Sequence, residues 1–328
     1  MIRPFTLDLT QPLSTATGTI DARSGFLYER GGGLGEATPL PGWTESVEDC
    51  GEALRAADQT DTWEGALAAC ADSPAARHGV SLARLDADAR AADRSLARAL
   101  GDDPAASVPV NATIGDGDVA ATRNAVAAAA DAGFETVKVK VGARPPAEDV
   151  ERLRAASEAA DVALRADANG AWTAKQTREV AGELADLDLE YLEQPLSAAT
   201  LDGYRGIDAV DVALDEALVH HDLDAVLDVA DYVVLKPMAL GGVDRARDAA
   251  RRAREAGVEP VISTTIDAAV ARAAAVHLAA SIPGVRACGL ATADRLADDL
   301  AADPAPVVDG RVSVPAGPGH GVEVDTDA

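Results

Sequence analysis

Six polar residues in the latter part of the chain recur at nearly even intervals. Lys140, Asp167, Glu193, Asp215, Lys236 and Ser263 stand 27, 26, 22, 21 and 27 residues apart. Each ends a short apolar run, as in Tyr191-Leu192-Glu193 and Val234-Leu235-Lys236. Each interval is about the length of one strand plus one helix. When such units close into a parallel barrel, the C-terminal strand ends form one mouth. The side chains would then ring a single site, beginning base, acid, acid, acid, base.

Three carboxylates on adjacent strand ends make a hard-oxygen set suited to Mg²⁺, with Mn²⁺ as a substitute. Lysines flank them. In Thr136-Val137-Lys138-Val139-Lys140, alternation sends the valines outward and Lys138 and Lys140 inward; Lys236 approaches from the opposite side. Such a site suits removal of a proton next to a substrate carboxylate, with a metal taking up the enediolate charge and a neutral lysine acting as base. A lysine amine, ordinarily near 10.4, needs to fall to serve as base at neutral pH. Burial, a nearby cation and a second ammonium all act in that direction, and Lys138 would supply the ammonium.

With 55 acidic residues in the chain, any one carboxylate at a strand end carries little weight. The lysines carry more. Only four of the 29 Lys and Arg residues are lysine, namely Lys138, Lys140, Lys175 and Lys236. Three of the four fall on inward barrel positions, where arginine cannot act as a titratable base. Lys175 reads as ordinary surface.

The elements that must hold these residues follow. Residues 1–105 read as an α+β capping domain, with strands over 5–9, 25–29 and 34–37 and Ala-rich helices around 45–58, 62–71 and 84–100. From Val108 a strand–helix pattern repeats. Strands are expected to begin near Val108, Thr136, Val162, Glu190, Val210, Tyr232, Val258 and Val285, with helices such as 118–132, 147–160, 173–187, 243–256 and 267–280 between them. The fold expected for 106–302 is a (β/α)7β modified TIM barrel, an α/β class, with the tail 303–328 returning to complete the cap.

Composition sets limits on partners. A net charge of −26 argues against nucleic acid and anionic membranes. Neither an apolar run long enough to span a bilayer nor a signal-peptide core is visible, so a cytoplasmic location is expected. Cys50, Cys70 and Cys288 are scattered without a CxxC pair, which speaks against a disulfide framework or a zinc site. An acid-rich, lysine-poor surface suggests a salt-adapted (halophilic) protein, since salt screens self-repulsion. A small carboxylate is the expected partner, and a homo-oligomer is compatible with the sequence.

Taken together, these residues resemble the enolase superfamily in its muconate-lactonising subgroup. The likeness runs from Gly33-Leu34-Gly35-Glu36-Ala37-Thr38-Pro39-Leu40-Pro41-Gly42 through the lysine strand and the acidic strand ends to Val314-Pro315-Ala316-Gly317-Pro318-Gly319. Trp43-Thr44-Glu45-Ser46 and Arg165-Ala166-Asp167-Ala168-Asn169-Gly170-Ala171-Trp172-Thr173 are most similar to the o-succinylbenzoate synthase family of menaquinone biosynthesis. That resemblance implies a hydro-lyase. It would dehydrate 2-succinyl-6-hydroxy-2,4-cyclohexadiene-1-carboxylate with syn geometry, through an enediolate, to o-succinylbenzoate. It further implies Lys140 as base, Lys236 as a cationic stabiliser, Mg²⁺ on Asp167, Glu193 and Asp215, and Asn169 and Glu216 beside them. Substrate contacts are expected from Arg165, Ser263, Thr264 and Gly289, and from Gly18 and Thr19 in a closing loop over 13–20.

Strand seven departs from that family at Ser263-Thr264-Thr265-Ile266-Asp267. Strand eight, Cys288-Gly289-Leu290-Ala291-Thr292, is equally similar to dipeptide epimerases and muconate cycloisomerases. An N-succinylamino acid racemase or dipeptide epimerase, with Lys140 and Lys236 as opposed bases, therefore stays open, as does, less strongly, a cycloisomerase. A metal-free Schiff-base aldolase using Lys236 or Lys140 is the alternative from another class.

Overall fold

The computed structural model describes residues 1–15 and 18–324. The chain opens with an antiparallel sheet of β1 (Ile2–Thr15), β2 (Gly18–Arg30) and β3 (Gly33–Ala37), in that order. The first two strands are longer than alternation predicts, and their pairing shifts register between Asp8 and Leu13. Helices α1 (Val47–Asp58), α2 (Trp63–Ala69), α3 (Pro74–Ala91) and α4 (Leu96–Leu100) follow. The single helix expected over 84–100 is thus two: α3 starts ten residues earlier, at Pro74, and the chain breaks at Asp93, whose φ is +50°. Strand β3 lies directly on α3. A Cβ at Gly35 would sit 1.9 Å from the Gly79 carbonyl oxygen, so only glycine permits that approach.

A parallel sheet follows, ordered β5 to β11 by neighbour. After the short strand β4 (Ser107–Pro109) come β5 (Ala112–Ile114), α5 (Val119–Asp131), β6 (Thr136–Lys140), α6 (Pro146–Ser157), β7 (Ala163–Asp167) and α7 (Ala174–Leu184). The sequence continues with β8 (Leu189–Glu193), β9 (Val212–Leu214), α8 (Leu223–Leu227), β10 (Tyr232–Leu235), α9 (Pro237–Leu240), α10 (Val243–Glu255), β11 (Glu259–Ile262) and α11 (Ala269–Ala280). The eighth strand expected from Val285 is not a regular strand. Its segment closes the ring through single bridges, Cys288 to Val110 and Gly289 to Ser263. Val108 likewise lies outside the parallel ladder: β4 pairs antiparallel with the tail strand β13 (Arg311–Ser313), which pairs with β12 (Val307–Val308).

Helix α11 is buried along its whole length and is mostly alanine and valine; its two polar side chains are both partnered, Arg272 by Asp299 and Asp303 and His277 by the Ala97 N–H. It packs against β11, β3, β4 and α4, joining barrel and cap. The tail reaches the cap as well. The His320 backbone N–H donates to Asp86 on α3 at 2.9 Å, and the Leu96 N–H donates to the Gly319 carbonyl at 2.7 Å.

Candidate active site

Register brings the site together. Lys140 pairs with Asp167 across β6 and β7, and Asp167 with Glu193 across β7 and β8. Asp215 and Lys236 each stand one residue past β9 and β10. Val137 and Val139 are fully buried outside the barrel wall, so both lysines face inward. Lys138 Nζ donates to both Glu193 oxygens at 2.8 and 2.9 Å and lies 3.2 Å from Asp167. Lys140 Nζ donates to Asp167 Oδ2 at 2.6 Å and to Asn169 Oδ1 at 2.7 Å. Across the mouth, Lys236 Nζ donates to Asp215 Oδ2 at 2.6 Å and lies 3.6 Å from the centroid of the Trp43 ring. Asn169 Nδ2 donates to Glu216 Oε1 at 2.8 Å, linking the third and fifth strand ends.

Charge is concentrated here, and Asp167, Glu193 and Asp215 are all buried. Burial alone would lower the Lys138 ammonium, yet Glu193 and Asp167 hold it well above its usual range. Burial would raise Asp167, but Lys138 and Lys140 beside it hold its carboxyl well below the carboxylate range. Glu193 is pushed up to about 8 by burial and by the neighbouring Asp167, and Glu216 is pushed up by burial and by Asp215.

The donor set suits a divalent cation. Asp167, Glu193 and Asp215 supply hard oxygens from adjacent strand ends, and Asp215 Oδ1 and Glu216 Oε2 are buried with no hydrogen-bond partner. Among the described residues the carboxylates do not converge as they stand. The lysine ammoniums supply the positive charge between them. A cation would be held by turning these carboxylates from the lysines toward one another.

The other expected contacts divide. Ser263 donates to the Gly289 carbonyl at 3.2 Å, and the Thr264 and Thr292 hydroxyls are 3.2 Å apart, so the ends of strands seven and eight are joined. Arg165 is a correction. Its side chain is sealed from solvent two residues below Asp167, where it donates to Glu190 at 2.7 Å and to the Ala287 carbonyl at 2.7 Å and stacks on Tyr191. It braces the barrel interior and cannot reach a substrate at the mouth. Gly18 and Thr19 are exposed at the tip end of the β1–β2 hairpin; of the expected closing loop over 13–20, Leu13 to Thr15 and Gly18 to Ile20 pair as the ends of these strands, and Ala16 and Thr17 lie outside the described residues. The hairpin rests on the segment after strand eight, where Thr10 donates to the Asp294 carbonyl at 3.0 Å.

Sequence reasoning passed over two supports. Gln194, fully buried with φ +38°, accepts the Asp215 and Ala217 N–H groups on Oε1 and so sets the Asp215 backbone. The motif Glu193-Gln194-Pro195 was the available signal. Arg152 and Asp149 on α6, both buried, hold the ends of β5 and β6. Beside Lys236 a cavity of about 210 Å³ opens between Trp43 and Pro74 of the cap and Asp215, Leu218, Val234 and Leu240 of the barrel.

Known proteins resemble this chain in sequence and in fold. The o-succinylbenzoate synthase of Mycobacterium tuberculosis (strain ATCC 25618 / H37Rv) is 39% identical over 190 residues, 56% of this chain and 57% of that protein. The aligned stretch thus spans little more than half the length of that relative. A mandelate racemase/muconate lactonizing protein from Herpetosiphon aurantiacus superposes with TM-score 0.88 at 24% identity, covering 99% of this chain and 97% of the other. A dipeptide epimerase from Methylococcus capsulatus, solved with Mg and the dipeptide L-Arg-D-Lys, superposes with TM-score 0.84 at 26% identity, covering 98% of each. The family described as enolase C-terminal domain-like matches residues 120–328. The barrel is the TIM-type barrel of those enzymes, and the chain belongs to the enolase superfamily.

Proposed function

We propose that the protein is an o-succinylbenzoate synthase, a hydro-lyase that forms an aromatic ring by dehydrating 2-succinyl-6-hydroxy-2,4-cyclohexadiene-1-carboxylate in menaquinone biosynthesis. The observation that carries the reading is the placement of Lys140 and Lys236 on opposite sides of Asp167, Glu193 and Asp215, in a chain 39% identical to a synthase over the aligned stretch. Asp167, Glu193 and Asp215 would hold Mg²⁺, or Mn²⁺ in its place, which when bound supplies positive charge for an enediolate. The substrate would enter as its carboxylate between the two lysines.

Lys140 then takes the α proton. The electron pair left on carbon is delocalised into the carboxylate, and the Lys236 ammonium lies on the far side to stabilise that charge. The ring C–OH bond breaks on the face that lost the proton. Lys140 returns its proton to the departing hydroxide, and the products are water and the aromatic diacid. The two lysines are unlike in setting. Lys140 has 36% of its side chain exposed and two oxygen partners, whereas Lys236, 13% exposed, is clasped between a carboxylate and an indole face. That asymmetry favours one base and one fixed cation over two equivalent bases. Residues 1–105 with 303–328 would serve as the cap over the barrel of 106–302, in a cytoplasmic protein.

The second reading, a racemase or epimerase of N-succinylamino acids or dipeptides, uses the same residues with Lys236 as a second base. Likeness to the dipeptide epimerase from Methylococcus capsulatus keeps it in play. Two assays on one Mg²⁺-loaded preparation separate them. A synthase converts the cyclohexadiene carboxylate to the aromatic product, followed by absorbance. A racemase instead exchanges solvent deuterium into both enantiomers of an N-succinylamino acid. Rapid exchange into both without dehydration would overturn the synthase reading.

A further inference from the structure

The cap contributes a residue to the immediate surroundings of Lys236, and it does so through a turn built for the purpose. Leu40-Pro41-Gly42-Trp43 folds as a tight turn in which the Trp43 N–H donates to the Leu40 carbonyl at 3.0 Å. Gly42 has φ +86°, and proline followed by glycine at the two central positions is the composition a type II turn needs. The turn is pinned on both sides. Thr44 Oγ1 accepts the Leu40 N–H at 2.9 Å, Glu45 accepts the Ala75 and Ala76 N–H groups at 3.0 and 2.8 Å at the start of α3, and Ser46 caps α1. The segment carrying Lys236 is gripped by the same cap. The Thr38 N–H meets Met238 Sδ at 3.4 Å, and Arg77 donates to the Gly241 carbonyl and to Asp244. Between these anchors the Trp43 ring centroid comes within 3.6 Å of Lys236 Nζ.

We propose that Trp43 is a positioning residue for Lys236. Its indole face holds the ammonium at the mouth by a cation–π contact, so that the cap fixes where the barrel's second lysine presents its charge. The geometry explains why an aromatic ring is half-buried over a cavity rather than packed into the core of the cap. A lysine tethered only by its four-carbon stem and Asp215 would sample several rotamers. A ring over one side and a carboxylate on the other leave one, and displacement of a charged group by about 1 Å is enough to cost two orders of magnitude in rate. This inference rests on the proposed reaction for its rate readout alone.

The test uses full-length protein carrying fluorinated tryptophan at its three tryptophans, Trp43, Trp63 and Trp172. Fluorination weakens the negative ring face in steps while nearly preserving size. In the 5-fluoro protein, Trp43→Phe identifies the Trp43 fluorine resonance. Lys236→Met should shift that resonance, and Lys175→Met, on the exposed surface, should leave it in place. A resonance indifferent to Lys236 overturns the contact whatever the substrate. For rate, kcat should fall about tenfold from unlabelled to trifluorinated protein, the scale of a desolvated cation–π contact, with KM within about twofold. Labelled Trp43→Phe should show no such trend. A flat kcat, or a rise confined to KM, would make Trp43 packing or a substrate contact and refute the proposal. If the wild type does not dehydrate the cyclohexadiene carboxylate, the synthase reading fails separately and the resonance shift decides this inference.

Discussion

Arg152→Met should destabilise the protein by about 3–5 kcal/mol, the range for breaking a buried ion pair by removing one partner. Arg152 is 1% exposed on α6 and makes four hydrogen bonds. It donates to Thr122 Oγ1 at 3.1 Å, Asp149 Oδ1 at 2.7 Å, the Lys140 carbonyl at 2.9 Å and the Gly115 carbonyl at 2.9 Å. Asp149, itself fully buried, accepts the Gly142 N–H at 2.7 Å. Methionine fills much of the same volume but satisfies none of these groups. It leaves Asp149 as a buried charge without its cation, and the carbonyls that end β5 and β6 without a donor. Urea unfolding, with coincident fluorescence and circular dichroism, measures the loss. The double variant Arg152→Met/Asp149→Asn should recover about 1–2 kcal/mol of it, because the amide oxygen still accepts from Gly142 but no charge is buried. A loss below about 1 kcal/mol for the single variant, or no recovery in the double, would refute this account of the strand ends.

Other predictions follow from the same structure. His277, buried on α11, accepts the Ala97 N–H on Nδ1 and stands 3.2 Å from the His320 carbonyl through Nε2. Burial lowers it from 6.5 to about 4, so between those values the unfolded chain binds a proton that the folded chain refuses. The stability it contributes above pH 6.5 is lost as pH falls toward 4, by about 3 kcal/mol. The stability gap between wild type and His277→Gln should narrow by that amount from pH 7 to pH 4, and a constant gap contradicts it. The net charge of −26 should make the melting temperature rise between 0.1 and about 2 M KCl as repulsion is screened; a maximum at the lowest salt opposes this. Calorimetric Mg²⁺ affinity should drop at least about tenfold in Asp215→Asn, and an unchanged isotherm would remove Asp215 from the ligand set.

Much of the site was legible because alternation and one-unit spacing are local properties of sequence. Lys138 and Lys140 face inward because their valine neighbours need the helix layer, and the acids fall at strand ends because each apolar run stops there. Depth was less legible. Alternation turns Arg165 inward as it does Asp167, but only the register with β8 shows it one layer down, paired with Glu190. The break between α3 and α4 carries no glycine or proline; it is stabilised from a distance, by Gly319 of the tail accepting the Leu96 N–H. Strand eight closes through single bridges, and at one of them Gly289 passes so near Ser263 that a Cβ there would lie 2.6 Å from its hydroxyl. The contact of Trp43 with Lys236 joins residues nearly two hundred positions apart, and nothing in either segment alone announces the other.

The most direct test of the central claim compares wild type with Lys140→Ala in the dehydration of 2-succinyl-6-hydroxy-2,4-cyclohexadiene-1-carboxylate. Both proteins should be loaded with Mg²⁺ and shown to unfold at similar urea concentrations. If Lys140 carries the proton, the wild type turns over and the variant loses at least about a hundredfold in kcat, the lower scale of a general base. Turnover retained within about tenfold would contradict the assignment of Lys140 as the base, and with it the account of the site.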